Sequence, residues 1–476
     1  MKKYLFFVFI LTVPILTGCQ KDYAIPEVSA PDAESVKESN SVDLTFSFTA
    51  EGGYKSVSLN ATGGTATIKT NATAGAVSGN LVITFTAGTQ PGAGSVTVNL
   101  TDKEEQMSSA TAVLTIVEEQ MVITVTGNIT SNTTWETGKV YILASRITVL
   151  SGVTLTIQHG VVVKGEAGTG SNATALLIAR GGKLDAVGTE TSPIIFTSVA
   201  DEIMPGQITS PNLDPTLNGL WGGLLILGKA PISADAESMQ IEGIPPSDLN
   251  GLYGGTLPDD NSGTIKYVSI RHGGANIGEG NEINGLTLGG VGSGTVIENI
   301  EIIANQDDGI EWFGGTVNVK NVVIWNAGDD AIDTDMAWAG TLDNFAVINP
   351  GDECFELDGP EGAATGRHII KNGSAKAGNA EGLVDLDDNS IVTMTGVYFF
   401  GLKTGQDFDE LPSGGGLTAS DLQVTLPEGS ALTDFFKEGT SAFATVVATG
   451  ANTVGVNTEP FNGWSWAEVS GALDEF

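Results

Sequence analysis

The chain is poor in cysteine, histidine, aromatic residues and positive charge. Its 476 residues hold two cysteines, Cys19 and Cys354, so no disulfide framework can form in the body of the protein. Three histidines, His159, His272 and His368, lie far apart, and no His/Cys spacing suggests a zinc site. Lysine and arginine total 21 against 57 acidic residues, a net charge of −36. Such a field repels polyanions, which argues against nucleic acid and anionic membrane surfaces as partners. It disfavours acidic glycans too, unless a divalent cation bridges the two. Neutral sugars, metal ions and basic proteins stay open, and no particular protein partner is indicated. No motif points to an organic cofactor, and beyond the N-terminus no apolar run reaches membrane-spanning length.

What is abundant is glycine, at 63 residues, together with β-branched residues in short apolar runs. That composition predicts an all-β protein with many tight turns. The first 19 residues read as a targeting segment: Lys2-Lys3, a mainly apolar stretch from Leu5 to Leu16, then Leu16-Thr17-Gly18-Cys19. This resembles a bacterial lipobox, which implies cleavage before Cys19 and a lipid anchor on its sulfur. The following Gln20-Lys21-Asp22 resembles the signal that sends lipoproteins of Bacteroidota to the outer cell surface. The expected address is therefore the outer membrane, lipid-anchored and surface-exposed. Residues 20–41 carry Pro26, Pro31 and mixed charge with no hydrophobic period, and read as a flexible tether.

Residues 42–119 alternate apolar and polar side chains between turns, as in Val42-Asp43-Leu44-Thr45-Phe46-Ser47-Phe48, which predicts a small immunoglobulin-like β-sandwich. From residue 122 to 460, short apolar strands such as Val161-Val162-Val163 and Ile194-Ile195-Phe196 recur between glycines without helical spacing. That pattern predicts a right-handed parallel solenoid. Proline-bearing insertions interrupt it at 199–218 and 229–262, and residues 461–476, with Trp464 and Trp466, are expected to cap its end.

Three segments inside the solenoid repeat one theme: Asn305-Gln306-Asp307-Asp308-Gly309-Ile310-Glu311, Asn326-Ala327-Gly328-Asp329-Asp330-Ala331-Ile332-Asp333, and Asn349-Pro350-Gly351-Asp352-Glu353-Cys354-Phe355-Glu356. A step of 22 and then 23 residues stacks equivalent positions one rung apart. Acids stacked roughly 4.8 Å apart repel by about 3 kcal/mol per pair at an effective dielectric of 20. Either a cation, a shared proton or a ligand relieves that, or the side chains splay into salt water from corner positions that suit Asn and Asp. If Ile310, Ile332 and Phe355 point inward, Glu311, Asp333 and Glu356 point out, joined by Asp335 and Asp358. These would form a ligand-binding face toward solvent, with Trp312 and Trp338 as candidates for stacking on sugar rings or for the core. Asp307, Asp329 and Asp352 share the outward parity and are candidate ligands for calcium, a hard cation that favours carboxylate oxygens.

The residues 160–198, Trp221-Gly222-Gly223 and the acid coils together resemble a Bacteroidota family of surface lipoproteins that carry a right-handed parallel β-helix behind an immunoglobulin-like spacer. Asn305-Gln306-Asp307 followed by Asp329-Asp330-Ala331-Ile332 is similar to the polygalacturonase motif. That resemblance implies Asp307, Asp329 and Asp330 as a general acid and water-activating pair. The chain departs from it at Gly351-Asp352-Glu353, where the motif has Gly-His-Gly. Non-catalytic binding of a glycan or metal-bridged ligand is the leading expectation, with a glycoside hydrolase or lyase and a plain adhesive scaffold as alternatives.

Overall fold

The structure is a computed structural model and describes residues 22–276, 283–409 and 411–476. The leader and Cys19 lie outside the described residues. The chain divides into two compact units, Met1–Gln120 and Met121–Phe476.

In the first unit, two four-stranded sheets enclose Phe46, Phe48, Leu81, Ile83, Val96, Val98 and Leu114. Period two explains it: along Ser41–Thr49 burial alternates residue by residue. The stretch read as a tether instead supplies two strands. Glu27–Ser29 pairs antiparallel with residues 47–49, and Glu34–Lys37 pairs parallel with residues 114–117. These strands lack a hydrophobic period because they take order from a pre-existing sheet edge, with Val36 buried in the core and Val28 packed against it.

The second unit is a right-handed parallel β-helix. Its longer sheet has sixteen strands and its shorter one eight, the latter running from Ile147–Val149 through Ile310–Phe313, Ile332–Asp335 and Phe355–Leu357 to Asp385–Leu386. Every pairing along that eight-stranded sheet is parallel. Inward residues of both sheets form one continuous apolar core. At one corner Asn299, Asn321, Asn344 and Asn372 all take left-handed backbone, which asparagine tolerates. Their amides link the coils: Asn321 Nδ2 donates to Asn299 Oδ1 at 2.7 Å, and Asn344 Nδ2 to Asn321 Oδ1 at 2.9 Å. Asn321→Ala removes the middle link and strains the corner. It is expected to cost about 1–2 kcal/mol in chemical denaturation.

The C-terminal residues do not close the end of the solenoid. Phe461, Trp464, Ala467 and Leu473 lie along its flank, packed on the outward residues Val323, Ala346 and Ile348. Those three are apolar on the outer face of long strands, and that exposed strip needs a cover. Trp464 lies in a turn that leads into the short helix Trp466–Val469.

Candidate acid ladder

The corner before four successive strands of the eight-stranded sheet brings a polar residue to the same place. The amide of Gly285 donates to Asp308 O, that of Gly309 to Asp330 O, and that of Ala331 to Glu353 O. This puts Asn284, Asp308, Asp330 and Glu353 in one column. Their side chains tie coil to coil, because Asp308 Oδ1 accepts from the Asp330 amide at 3.0 Å and Asp330 Oδ1 from the Glu353 amide at 2.6 Å. Asn305 Nδ2 braces the corner by donating to Asp308 O at 2.8 Å and Ile283 O at 3.1 Å.

A second column lies three residues on, with Thr287, Glu311, Asp333, Glu356 and Asp385 in strict register. Ile310, Ile332 and Phe355 point into the core, so these side chains do point out of the coil, as strand parity requires. They do not face solvent, however. Glu311 is 6% and Asp333 8% exposed, beside Asp308 at 7% and Asp330 at 5%. The insertion at 229–262 covers this face. Its Ile232, Ile241, Ile244 and Tyr253 pack against Leu225, Leu227, Ile283 and Phe313. Asn284 Nδ2 then joins Glu242 of that insertion, at 3.2 Å, to Glu311. Glu356, Asp335 and Asp358 are half-buried at the edge of the cover.

Burial beside like charges pushes seven of these acids toward the neutral form. Asp308, Glu311 and Asp333 lie well above the usual carboxylate range, first through burial and then through neighbouring acids, Asp333 for the first two and Glu356 for Asp333 itself. Burial and a hydrogen bond with Glu356 push Asp330 up to about 11. Burial, with an Asp352 hydrogen bond, raises Glu353 to about 8. Burial, with neighbouring acids, raises Asp358 to about 7, and burial raises Asp335 to about 6.

Two overlapping groups could hold a cation. Asp308, Glu311 and Asp333 bring one carboxylate oxygen each within 4.8 Å of one another, and Asp307, Asp308 and Asp329 do the same nearer the surface. Oxygens that close can all touch an ion at a calcium–oxygen distance of about 2.4 Å. Asp333 Oδ1 and Asn284 Oδ1 are buried with no hydrogen-bond partner. Of the three predicted metal ligands, Asp307 and Asp329 come together and Asp352 does not join them, because its carboxyl group is engaged with Glu353. Asp308 takes its place, and Asn284 and Glu242 complete the setting. Asn284-Gly285 repeats Asp308-Gly309 one coil earlier, which was the available sequence signal. Glu242 carried none, since only folding of the insertion brings it here.

The remaining candidates fall elsewhere. Asp330, one of the three implied catalytic residues, is buried with its carboxyl group bonded to the next coil, away from any substrate. Trp312 and Trp338 are fully buried and stacked at 4.5 Å, and Trp338 stacks on His368 at 5.3 Å. Trp312 lies two residues from Ile310 and so shares its inward side, which removes both rings from any sugar-binding role. His272 is likewise buried, its Nδ1 2.5 Å from Leu217 O, and Cys354 is a small core residue.

Comparison with known protein families agrees with this architecture. No curated protein matches the chain. Among solved structures, the family 28 exopolygalacturonase of Yersinia enterocolitica is similar over 90% of each chain, at 10% sequence identity and a TM-score of 0.21. Residues 127–454 match the family described as a pectate-lyase-like beta helix domain, which spans well over half of the sequence. The chain therefore belongs to the pectate-lyase-like beta-helix family.

Proposed function

We propose that the protein is a surface lipoprotein, anchored in the outer membrane through Cys19, whose β-helix binds a neutral glycan without chemistry around a calcium ion held by the acid ladder. The observation that carries this reading is the convergence of Asp308, Glu311 and Asp333 on one buried point, with unpartnered oxygens on Asp333 and Asn284. Buried carboxylates are held only if protonated or paired with a cation. An all-oxygen donor set suits a hard cation. Asp307 and Asp329 continue the acids outward from Asp308, where an ion could bridge to sugar hydroxyls. The glycan half of the proposal rests on the family name and on the address implied by Cys19.

Two measurements test it in sequence. Calcium titrated into the EDTA-stripped full chain should give saturable uptake that Asp308→Asn, shared by both groups, weakens at least tenfold. A glycan array run with calcium and with EDTA should then show calcium-dependent retention of a neutral glycan. No saturable uptake removes the cation, and uptake without any retained glycan removes the glycan role.

A further inference from the structure

A small concavity on this strongly negative chain is lined by two cations. It has a volume of about 290 Å3 and opens where the loops after strands Leu176–Ile178 and Leu224–Leu227 meet the turn after strand Leu252–Tyr253. Arg180 and Lys229 line it, and neither takes part in an ion pair among the described residues.

The Arg180 guanidinium and the Lys229 backbone are both held in place. Arg180 Nη1 donates to Gly254 O at 2.9 Å, which orients the rest of the guanidinium fork. The Lys229 amide donates to Asp260 Oδ2 at 2.9 Å, and its carbonyl accepts from the Leu257 amide at 2.8 Å. The Lys229 ammonium lies across Gly181, where an added methyl would stand 2.7 Å from Nζ, so glycine there leaves the ammonium its place. On the opposite wall Gly254 and Gly255 take φ of +91° and +157°, and a methyl on Gly255 would strike Lys229 O at 2.8 Å. That turn brings Gly255 and Thr256 to the cavity, and their amides meet no acceptor among the described residues.

We infer that this cavity is an anion-binding site that takes a single oxyanion group, a carboxylate or a phosphate, carried on a small polar molecule. Two cations, one of them with its guanidinium held by Gly254 O, beside backbone amides without a protein acceptor are the chemistry that recognises such a group. The overall charge does not forbid it. Exposed charges beyond a Debye length of about 8 Å are largely screened at physiological salt, so Arg180, Lys229, the rim residue Glu237 and Asp260, whose Oδ2 holds the Lys229 amide, set the local field. No residue of the acid ladder lines the cavity, and the site needs no calcium.

The test is calorimetric titration of the full chain in EDTA with sodium phosphate and, separately, sodium acetate, at constant ionic strength set by chloride. One saturable site is expected for at least one of them. Acetate binding alongside phosphate assigns a carboxylate-bearing ligand, and phosphate alone assigns a phosphoester. Lys229→Met and Arg180→Gln should each weaken binding at least tenfold, while Lys320→Met on the sixteen-stranded sheet leaves it unchanged. Melting curves on each variant separate lost binding from lost folding. Absence of saturable binding for both anions, or wild-type affinity in folded Lys229→Met, overturns the assignment.

Discussion

In EDTA the β-helix is expected to lose stability as the pH rises from 5 to 9, and calcium is expected to cancel that loss. Asp308, Glu311 and Asp333 have folded-state pKa values raised well above the unfolded ones, as do Asp335 at about 6, Asp358 at about 7, Glu353 at about 8 and Asp330 at about 11. A raised carboxyl group binds more protons folded than unfolded, so stability must fall as the pH climbs through the interval between the two values. Its contribution is complete below about pH 4, the unfolded value, and drains away as each folded pKa is passed. Two ionised neighbours one rung apart cost about 3 kcal/mol at an effective dielectric of 20. For a unit of this size the fall in melting temperature across this window should therefore be roughly 4 °C. Calcium binds the deprotonated ladder and adds about 2.7 kcal/mol at a hundredfold excess over Kd, so it acts at pH 8 and hardly at pH 5. All seven tryptophans fall after residue 121, so their fluorescence reports this unit alone. Asp333→Asn should flatten the slope in EDTA and abolish the calcium response together. A melting temperature that rises with pH in EDTA would mean that the ladder is ionised without calcium, and the burial argument fails.

Much of this was legible in the residues because a solenoid writes its geometry as a period. The 22- and 23-residue steps put Ile310, Ile332 and Phe355 in one inward row and Glu311, Asp333 and Glu356 in one outward row, as the strand register has them. What the period could not say is what lies on top. Tyr253 and Glu242 reach the ladder from an insertion with no repeat of its own, so an outward row became a buried one. Trp312 was open to two readings although its parity with Ile310 already placed it inside. Asp352 kept its place in the sequence pattern while its carboxyl turned to Glu353, a side-chain choice no spacing records. Glu34–Lys37 shows the same limit in the first unit, where an edge strand is ordered by its neighbour and not by its own composition.

Glu301→Ala is expected to release the C-terminal segment from the flank of the β-helix and to cost about 3–5 kcal/mol, the usual consequence of leaving a buried charge without its partner. Glu301 is fully buried between the coil and the segment. Its Oε2 accepts from Ser269 Oγ at 2.5 Å and lies 3.5 Å from Arg271 Nη2. Its Oε1 accepts from Ser465 Oγ at 2.7 Å and from the Ala467 amide at 2.9 Å. Arg271 is fully buried as well, and its guanidinium carbon stands 4.9 Å from the Trp466 ring centre. Removing the carboxylate therefore strands a guanidinium inside the protein and frees two donors of the segment at once. Hydrogen exchange should show residues 461–476 unprotected in Glu301→Ala, with the coils still protected. The double variant Arg271→Met/Glu301→Leu separates charge from packing: it removes both ions and keeps volume, so it should recover most of the lost stability, as buried pairs replaced by apolar residues commonly do. If Glu301→Ala keeps the segment protected, apolar contacts of Trp464 and Phe461 with Val323 and Ala346 hold it without the ion pair. If the double variant is as unstable as the single one, the cost lies in the hydrogen bonds to Ser465 and Ala467 and not in the stranded charge.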